Sequence, residues 1–257
     1  MKTIRLLFMA TLTVVIFTGA FAQDDEEKKK RNRSRGTYSN FKIDLGINNY
    51  LEDGESPGDN NELYSVRPWG SWYVGLNSIY DTHITGALHL EWGGGVSWYN
   101  FKFEDESVRL SEGPDAVVFS QDPDGLDYTK SKLTAAYVNV SAVPMLKFGA
   151  KNRPGHWFRW KGNNHDFEWK RKGGFRIGAG MYAGYRIASY TKYVVEEDGD
   201  KEKDKDRDGF FLNNLRYGAR MQLGFRGLDL FFNYDLNELF SDNKGPELNA
   251  FSFGVVL

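Results

Sequence analysis

The sequence predicts an all-β protein, an eight-stranded antiparallel up-and-down transmembrane β-barrel. Three observations predict it. About eight segments alternate apolar and polar residues with period two, the signature of two-faced strands. Their polar faces are rich in glycine and arginine. The connections between them alternate between long and short, as they do in outer-membrane barrels.

Phe175 to Ile187 is the clearest strand. Phe175, Ile177, Ala179, Met181, Ala183, Tyr185 and Ile187 share one face, and Arg176, Gly178, Gly180, Tyr182, Gly184 and Arg186 share the other. Leu215 to Phe225 and Leu228 to Leu236 repeat the pattern. So do Phe41 to Ile47, Trp72 to Leu76, Leu88 to Trp98, Ala136 to Phe148 and Phe251 to Leu257. Several reach the roughly 9–11 residues that cross a bilayer at a tilt. A soluble barrel would put the greasy face inside, whereas a membrane barrel puts it against lipid. Gly178, Gly180, Gly184, Gly218 and Gly224 decide for the second arrangement. Glycines weaken a strand, yet they leave room for large side chains in a narrow lumen. Aromatics near the strand ends (Trp69, Trp72, Trp98, Tyr99, Tyr185, Tyr190, Tyr217 and Tyr234) suggest girdles at the two interfaces.

Three domains are expected. Residues 1–22 read as a secretory signal peptide: Lys2 and Arg5 are basic, Leu6 to Phe21 is apolar, and Ala20-Phe21-Ala22 is a cleavage site. The chain is therefore expected in the cell outer membrane. Residues 23–37 are a charged block without apolar content, expected to be disordered. Residues 38–257 form the barrel. With the amino terminus inside, residues 51–66, 104–131, 191–212 and 238–248 are long outer loops. Residues 79–85 and Arg226-Gly227 are short inner turns. The long inner connection 149–173 is the exception, with Trp157, Trp160 and Trp169 among Arg159, Lys161, Lys170, Arg171 and Lys172.

Composition excludes several classes. The 257 residues include no cysteine, so there is no disulfide, thiolate metal site or Cys nucleophile. A formal net charge of −2 gives no reason to expect nucleic acid. No phosphate loop or Gly-x-Ser-x-Gly elbow occurs, and no cofactor, metal or catalytic residue is assigned. His83, His89, His156 and His165 lack metal spacing. His89 and Glu91 share a strand face and are the one acid/base candidate. Asp204-Lys205-Asp206-Arg207-Asp208-Gly209 opens like a calcium loop, but position 214 is Asn and 215 is Leu, so the closing Glu is missing. The inward charges are Lys42, Asp44, Glu91, Lys147, Arg176, Arg186, Arg216, Arg220, Arg226, Asp229 and Asp235. They are expected to pair and plug the lumen, with a surplus of cations left to face the rim or an anion.

Three stretches resemble a known family. They are Glu91-Trp92-Gly93-Gly94-Gly95-Val96-Ser97-Trp98-Tyr99-Asn100-Phe101, Val143-Pro144-Met145-Leu146-Lys147-Phe148 and Gly178-Ala179-Gly180-Met181-Tyr182-Ala183-Gly184-Tyr185-Arg186. They are similar to PorT-like outer-membrane β-barrels, the small barrels of Gram-negative envelopes. The likeness implies a barrel and no catalytic residues, and a few such proteins assist protein secretion. The long 149–173 connection departs from that pattern. The functional expectation is a non-enzymatic, monomeric barrel with a side-chain-filled lumen that presents loops for protein or cell-surface interaction. Its partners would be outer-membrane lipid and lipopolysaccharide, and periplasmic or secretion-system proteins through residues 149–173. The alternatives are an accessory component of a secretion system, a narrow channel, or an outer-membrane enzyme.

Overall fold

The computed structural model describes residues 36–57, 62–122, 127–149, 156–162, 165–170, 174–197 and 200–257. The expected signal peptide and nearly all of the charged block lie outside the described residues. The chain is all-β, with no α-helix among the described residues. Thirteen strands follow in order: β1 (Thr37–Glu52), β2 (Trp72–Thr85), β3 (Leu88–Lys102), β4 (Val108–Glu112), β5 (Val117–Gln121), β6 (Asp127–Phe148), β7 (His156–Gly162), β8 (His165–Lys170), β9 (Phe175–Glu197), β10 (Asp200–Asp204), β11 (Leu215–Phe225), β12 (Leu228–Asp235) and β13 (Leu248–Val256).

Eight of them ring round. The antiparallel sheet runs β9-β11-β12-β13-β1-β2-β3-β6, and β6 pairs back to β9. These are the eight segments that the alternation marks out. The first and last strands meet along Asp44↔Val256 to Glu52↔Leu248. Gly46 faces Gly254 in that seam. A Cβ on Gly254 would stand 2.1 Å from the Leu45 carbonyl oxygen and 2.4 Å from the Gly46 Cα. Backbone cannot yield as a side-chain tip can, so this seam requires glycine.

The ring wears its apolar residues outside. Phe41, Trp72, Val138, Val140, Leu146, Ile177, Met181, Leu215, Met221, Leu223, Leu230, Phe232 and Phe253 are all exposed. Lys42, Asp44, Asn48, Glu91, Ser97, Arg176, Arg216, Arg220, Asn233, Asp235 and Ser252 are buried inside. This is the reverse of the sorting that water imposes on a sheet with one covered face.

Two sequence expectations about connections are corrected. Residues 79–85 do not form a turn. β2 runs on to Thr85, and Gly86-Ala87 alone joins it to β3. The stretch Tyr80-Asp81-Thr82-His83 reads as a loop because all four of its residues carry polar groups, although it pairs with β3 throughout. Residues 191–197 are likewise strand, since β9 continues upward and pairs with both β6 and β10. A bulge makes that possible. Ala136↔Ala188 is followed by Tyr137↔Arg186, which leaves Ile187 as an extra residue in β9. The extra residue switches the phase of β9. Odd positions point outward below it; above it Thr191 and Tyr193 point inward and are buried.

The long 149–173 connection contains a two-stranded sheet of its own, β7 paired with β8. Its flanking strands, β6 ending at Phe148 and β9 starting at Phe175, meet at the end of the ring that carries the Gly86-Ala87 and Arg226-Gly227 turns. Gly254→Val is expected to open the β1–β13 seam at a cost of about 1–3 kcal/mol or more. Thermal unfolding of the variant beside wild type would report it, and an unchanged midpoint would refute the close approach.

Candidate functional site

The inside of the ring is built in two tiers, and the short-turn end holds the ionic one. Glu91 on β3 takes Lys42 of β1 on one carboxylate oxygen and Lys147 of β6 on the other, the latter at 2.8 Å. Lys147 also reaches Asp81 of β2, whose second oxygen lies 2.9 Å from His89 Nδ1. Arg176 of β9 donates to Asp229 of β12 at 2.6 Å through Nη2 and 3.0 Å through Nε. At mid-height Arg220 of β11 grips both oxygens of Asp44 on β1, at 2.9 and 3.1 Å, and Asp44 is 0 % exposed. Asn77 adds a third donor to Asp44 at 3.0 Å. Gln222, its amide oriented to donate to Glu91 (3.1 Å) and accept from Arg220 Nε (2.8 Å), joins the two groups.

Above them Arg216 lies in an aromatic cage. Its guanidinium carbon is 4.3, 4.7 and 5.0 Å from the ring centres of Tyr99, Tyr182 and Tyr137. Arg216 donates to the Tyr99 hydroxyl at 2.6 Å and stands 3.3 Å from Asp235, to which the Tyr182 hydroxyl also donates. The cage uses cation–π attraction where water is excluded, its stronger regime. Gly218 and Gly224 make this crowding possible. A Cβ on Gly218 would meet the Tyr182 hydroxyl at 2.6 Å, and one on Gly224 would meet Arg176 Nε at 2.6 Å.

The expected surplus of cations narrows to two, Arg186 at the upper rim and Arg226 at a turn, both at the ends of the ring. Lys42, Lys147, Arg176, Arg216 and Arg220 face Asp44, Asp81, Glu91, Asp229 and Asp235, five against five. Asp81 is the acid that sequence reading missed. Two of the expected inward arginines lie elsewhere. Arg226 occupies the β11–β12 turn with φ 47°, followed by Gly227 at 98°, and its guanidinium covers the Phe225 ring at 5.1 Å. Two-residue hairpin turns demand such angles, and the Phe225↔Leu228 register leaves only these two residues to make the turn. Arg186 sits at the upper rim and donates to the Gly209 carbonyl (3.0 Å) and to Asn214 Oδ1 (2.8 Å). Tyr99, expected in an outer girdle, is inside the cage.

The second tier is an apolar lid at the long-loop end. Loop residues Val66, Phe210, Leu212, Leu239 and Phe240 join Val108, Leu110 and Val117 of the β4–β5 hairpin. All pack on Tyr50, Phe101, Leu133 and Leu248 of the ring. Tyr193 ties the hairpin down, accepting from the Leu110 amide at 2.6 Å and donating to its carbonyl at 2.9 Å. The Val66↔Phe103 and Leu212↔Phe240 bridges fasten two loops to their neighbours. At the entry to the hairpin the Ser107 hydroxyl and amide hold the Asp105 carboxyl below the usual carboxylate range. What that turn gains is present above the ordinary carboxylate pKa and is lost as pH falls through the lowered one. The lid had a sequence signal, since Val108-x-Leu110 and Val117-x-Phe119 alternate on either side of Gly113-Pro114-Asp115.

Between the ionic groups and the Arg216 cage lies a cavity of about 30 Å³, bordered by Tyr73, Asn77, Asn139, Tyr182 and Arg216. That is room for one or two waters, with no width for a hydrated solute.

The remaining sequence candidates do not converge. His89 is bound to Asp81 and not to Glu91, whose oxygens are taken by lysines. In the Asp204–Gly209 stretch Asp204 lies 3.9 Å from Arg109, Asp208 accepts from the Gly209 amide at 2.7 Å, and Lys205 covers the Tyr190 ring at 3.7 Å. Among the described residues no three His, Asp or Glu side chains are grouped to hold a metal ion. His156 and His165 open β7 and β8. No family model, curated protein or solved structure matches this chain.

Removing one partner of a buried pair is costlier than the pair is stabilising, because the survivor is left charged and desolvated. Asp44→Ala strands Arg220 and is expected to cost about 3–5 kcal/mol. Urea unfolding in detergent micelles measures this, and a cost under about 1 kcal/mol would place the pair in contact with bulk water.

Proposed function

We propose that this chain is a non-enzymatic, monomeric outer-membrane β-barrel: eight strands cross the bilayer, the lumen is filled, and the loops form the working surface. The observation that carries the reading is the inverted sorting of side chains. Val140 is 61 % exposed and Met181 59 %, while Arg220, Arg216 and Asp44 lie inside. In water this arrangement would forgo most of the hydrophobic driving force and bury the charges as well. Against hydrocarbon it satisfies both surfaces, and the closed circuit of β-ladders leaves no open edge in the lipid.

The filled interior supports a structural lumen over a channel. The ion pairs of five cations with five carboxylates, the tyrosine cage and the apolar lid fill the interior. The loops that close the lid are then the surface offered to the outside. The β7–β8 sheet within the 149–173 connection supports a second reading, an accessory subunit of a secretion machine, the role the PorT-like resemblance suggests, with this connection, which departs from that family's pattern, holding a periplasmic partner. Lipopolysaccharide and phospholipid are the expected surroundings of the belt.

One substitution separates lipid from water at the belt. Val140→Arg is expected to destabilise by about 2–4 kcal/mol if that face meets mid-bilayer lipid. In a water-soluble ring an added surface charge shifts stability by no more than about 0.5 kcal/mol. Unfolding of wild type and variant from liposomes decides between them. Fractionation is expected to leave the chain in the membrane pellet, and recovery of a compact monomer from buffer without detergent would end the proposal. Planar-bilayer recording is expected to show no stepwise conductance, and co-purification of a second protein from solubilised membranes would favour the accessory role.

A further inference from the structure

A row of lysines crosses three strands on the outer face of the ring, just below the lid. The registers place Lys102 of β3 opposite Lys132 of β6, and Lys132 opposite Lys192 of β9. Directly opposed residues share a face about 4.5–5.5 Å apart, and like charges so placed repel. That face is the outer one, since Ser131, Leu133, Thr191 and Tyr193 beside them point inward and are buried. Lys130 is one step higher on the same face. Lys205 reaches the patch from the connection after β10, its ammonium 3.7 Å from the centre of the outward Tyr190 ring; Lys132 lies 5.7 Å from the same ring.

Native compensation is thin. Lys102 has Glu106 at 2.9 Å, which Arg67 shares at 3.1 Å. Lys132 donates to Asn100 Oδ1 at 2.8 Å, a neutral acceptor. Among the described residues no carboxylate pairs with Lys130, Lys132, Lys192 or Lys205. Directly beneath, the outward residues turn apolar: Val138 and Val140 on β6, Tyr185 and Ile187 on β9. A repelling cationic row that borders an apolar belt fits one kind of occupant, an amphiphile with phosphate at the head and hydrocarbon below. Lysine stems extend along an apolar surface while their ammoniums stay at its polar edge, which suits that boundary.

We propose that Lys130, Lys132, Lys192 and Lys205, with Tyr190 between them, form a binding site for the phosphate groups of an anionic lipid in the leaflet at the long-loop end. The inference rests on the transmembrane reading and adds the location and chemistry of a lipid site.

The test uses the full chain in detergent, native mass spectrometry, and four probes: diphosphorylated lipid A, its dephosphorylated form, phosphatidylcholine and inorganic pyrophosphate. Wild type is expected to retain diphosphorylated lipid A in preference to the other three. The double substitution Lys132→Gln with Lys192→Gln is expected to weaken that binding at least about tenfold, since each lysine loses a charge-assisted contact. Lys132→Arg with Lys192→Arg is expected to restore it. Equal binding by the glutamine variant would overturn the site. Pyrophosphate bound as tightly as the lipid would overturn the lipid assignment. Heat-modifiable mobility and membrane fractionation of each variant accompany the titration. A folded, membrane-bound variant that binds as wild type does sinks this site alone, whereas a chain soluble without detergent sinks the transmembrane reading with it.

Discussion

Electrostatic closure of a narrow ring is the constraint on which the rest of this structure depends. An eight-strand circumference leaves an interior only wide enough for side chains. Every charge placed there must meet its opposite within hydrogen-bonding reach or remain buried at a cost of several kcal/mol. The chain meets that condition with pairs that span the interior. Arg220 on β11 holds Asp44 on β1, and Lys147 on β6 holds Asp81 on β2. Each tie fixes strands distant in sequence at one separation and one height. A register slip of one residue would turn every member of a strand's charged set outward. The ionic interior therefore specifies register as well as filling space.

The glycines follow from the same constraint. Arg176 and Tyr182 are large, and they fit because their ladder partners on the neighbouring strand β11, Gly224 and Gly218, present hydrogen in place of a side chain. The seam at Gly46 and Gly254 is a separate use of glycine, at the place where the first and last ring strands approach too closely for a Cβ on either. Each lumen glycine weakens its strand locally, and the side chain that packs over it from the neighbouring strand compensates.

The fold was legible in the sequence because period-two alternation is a local signal and eight segments carry it strongly. Which face pairs with which was harder. Asp81 escaped because it lies in Tyr80-Asp81-Thr82-His83, where three polar neighbours hide a strand; only the partner, Lys147, some 66 residues on, reveals that it points inward. Arg226 was misplaced for the opposite reason. Alternation carried through Phe225 assigns it to the lumen, yet the turn geometry of Arg226-Gly227 overrides the pattern. The lid was hidden by scale: its residues come from four separate connections, each too short to look like a core, and they form one only when the ring gathers them at a single mouth. The His89–Glu91 pairing failed because two residues on one strand face compete with every neighbour across the ring, and two lysines lie closer to Glu91.

The two tiers also explain why β6 and β9 are so long. Their 22 and 23 residues are about twice what a bilayer crossing requires. Along β6 the outward positions change character. Val138, Val140, Leu146 and Phe148 are apolar and exposed, whereas Lys130, Lys132 and Thr134 are polar. The inward positions run from Lys147 through Met145, Val143, Ser141 and Asn139 to Tyr137, Ala135 and Leu133, so the charge and the amide lie in the lower half. In the transmembrane reading a strand that passes from lipid into water exchanges the character of its outer face, and β6 does so while its ladder with β3 runs unbroken. On β9 the change coincides with the bulge at Ile187, where one inserted residue reverses the phase of alternation. Below that level the ring is ordered from within by charge; above it, from within by apolar packing. The boundary at Thr134 and Tyr190 is where, in the transmembrane reading, hydrocarbon gives way to headgroups, and both strands turn over at that same height.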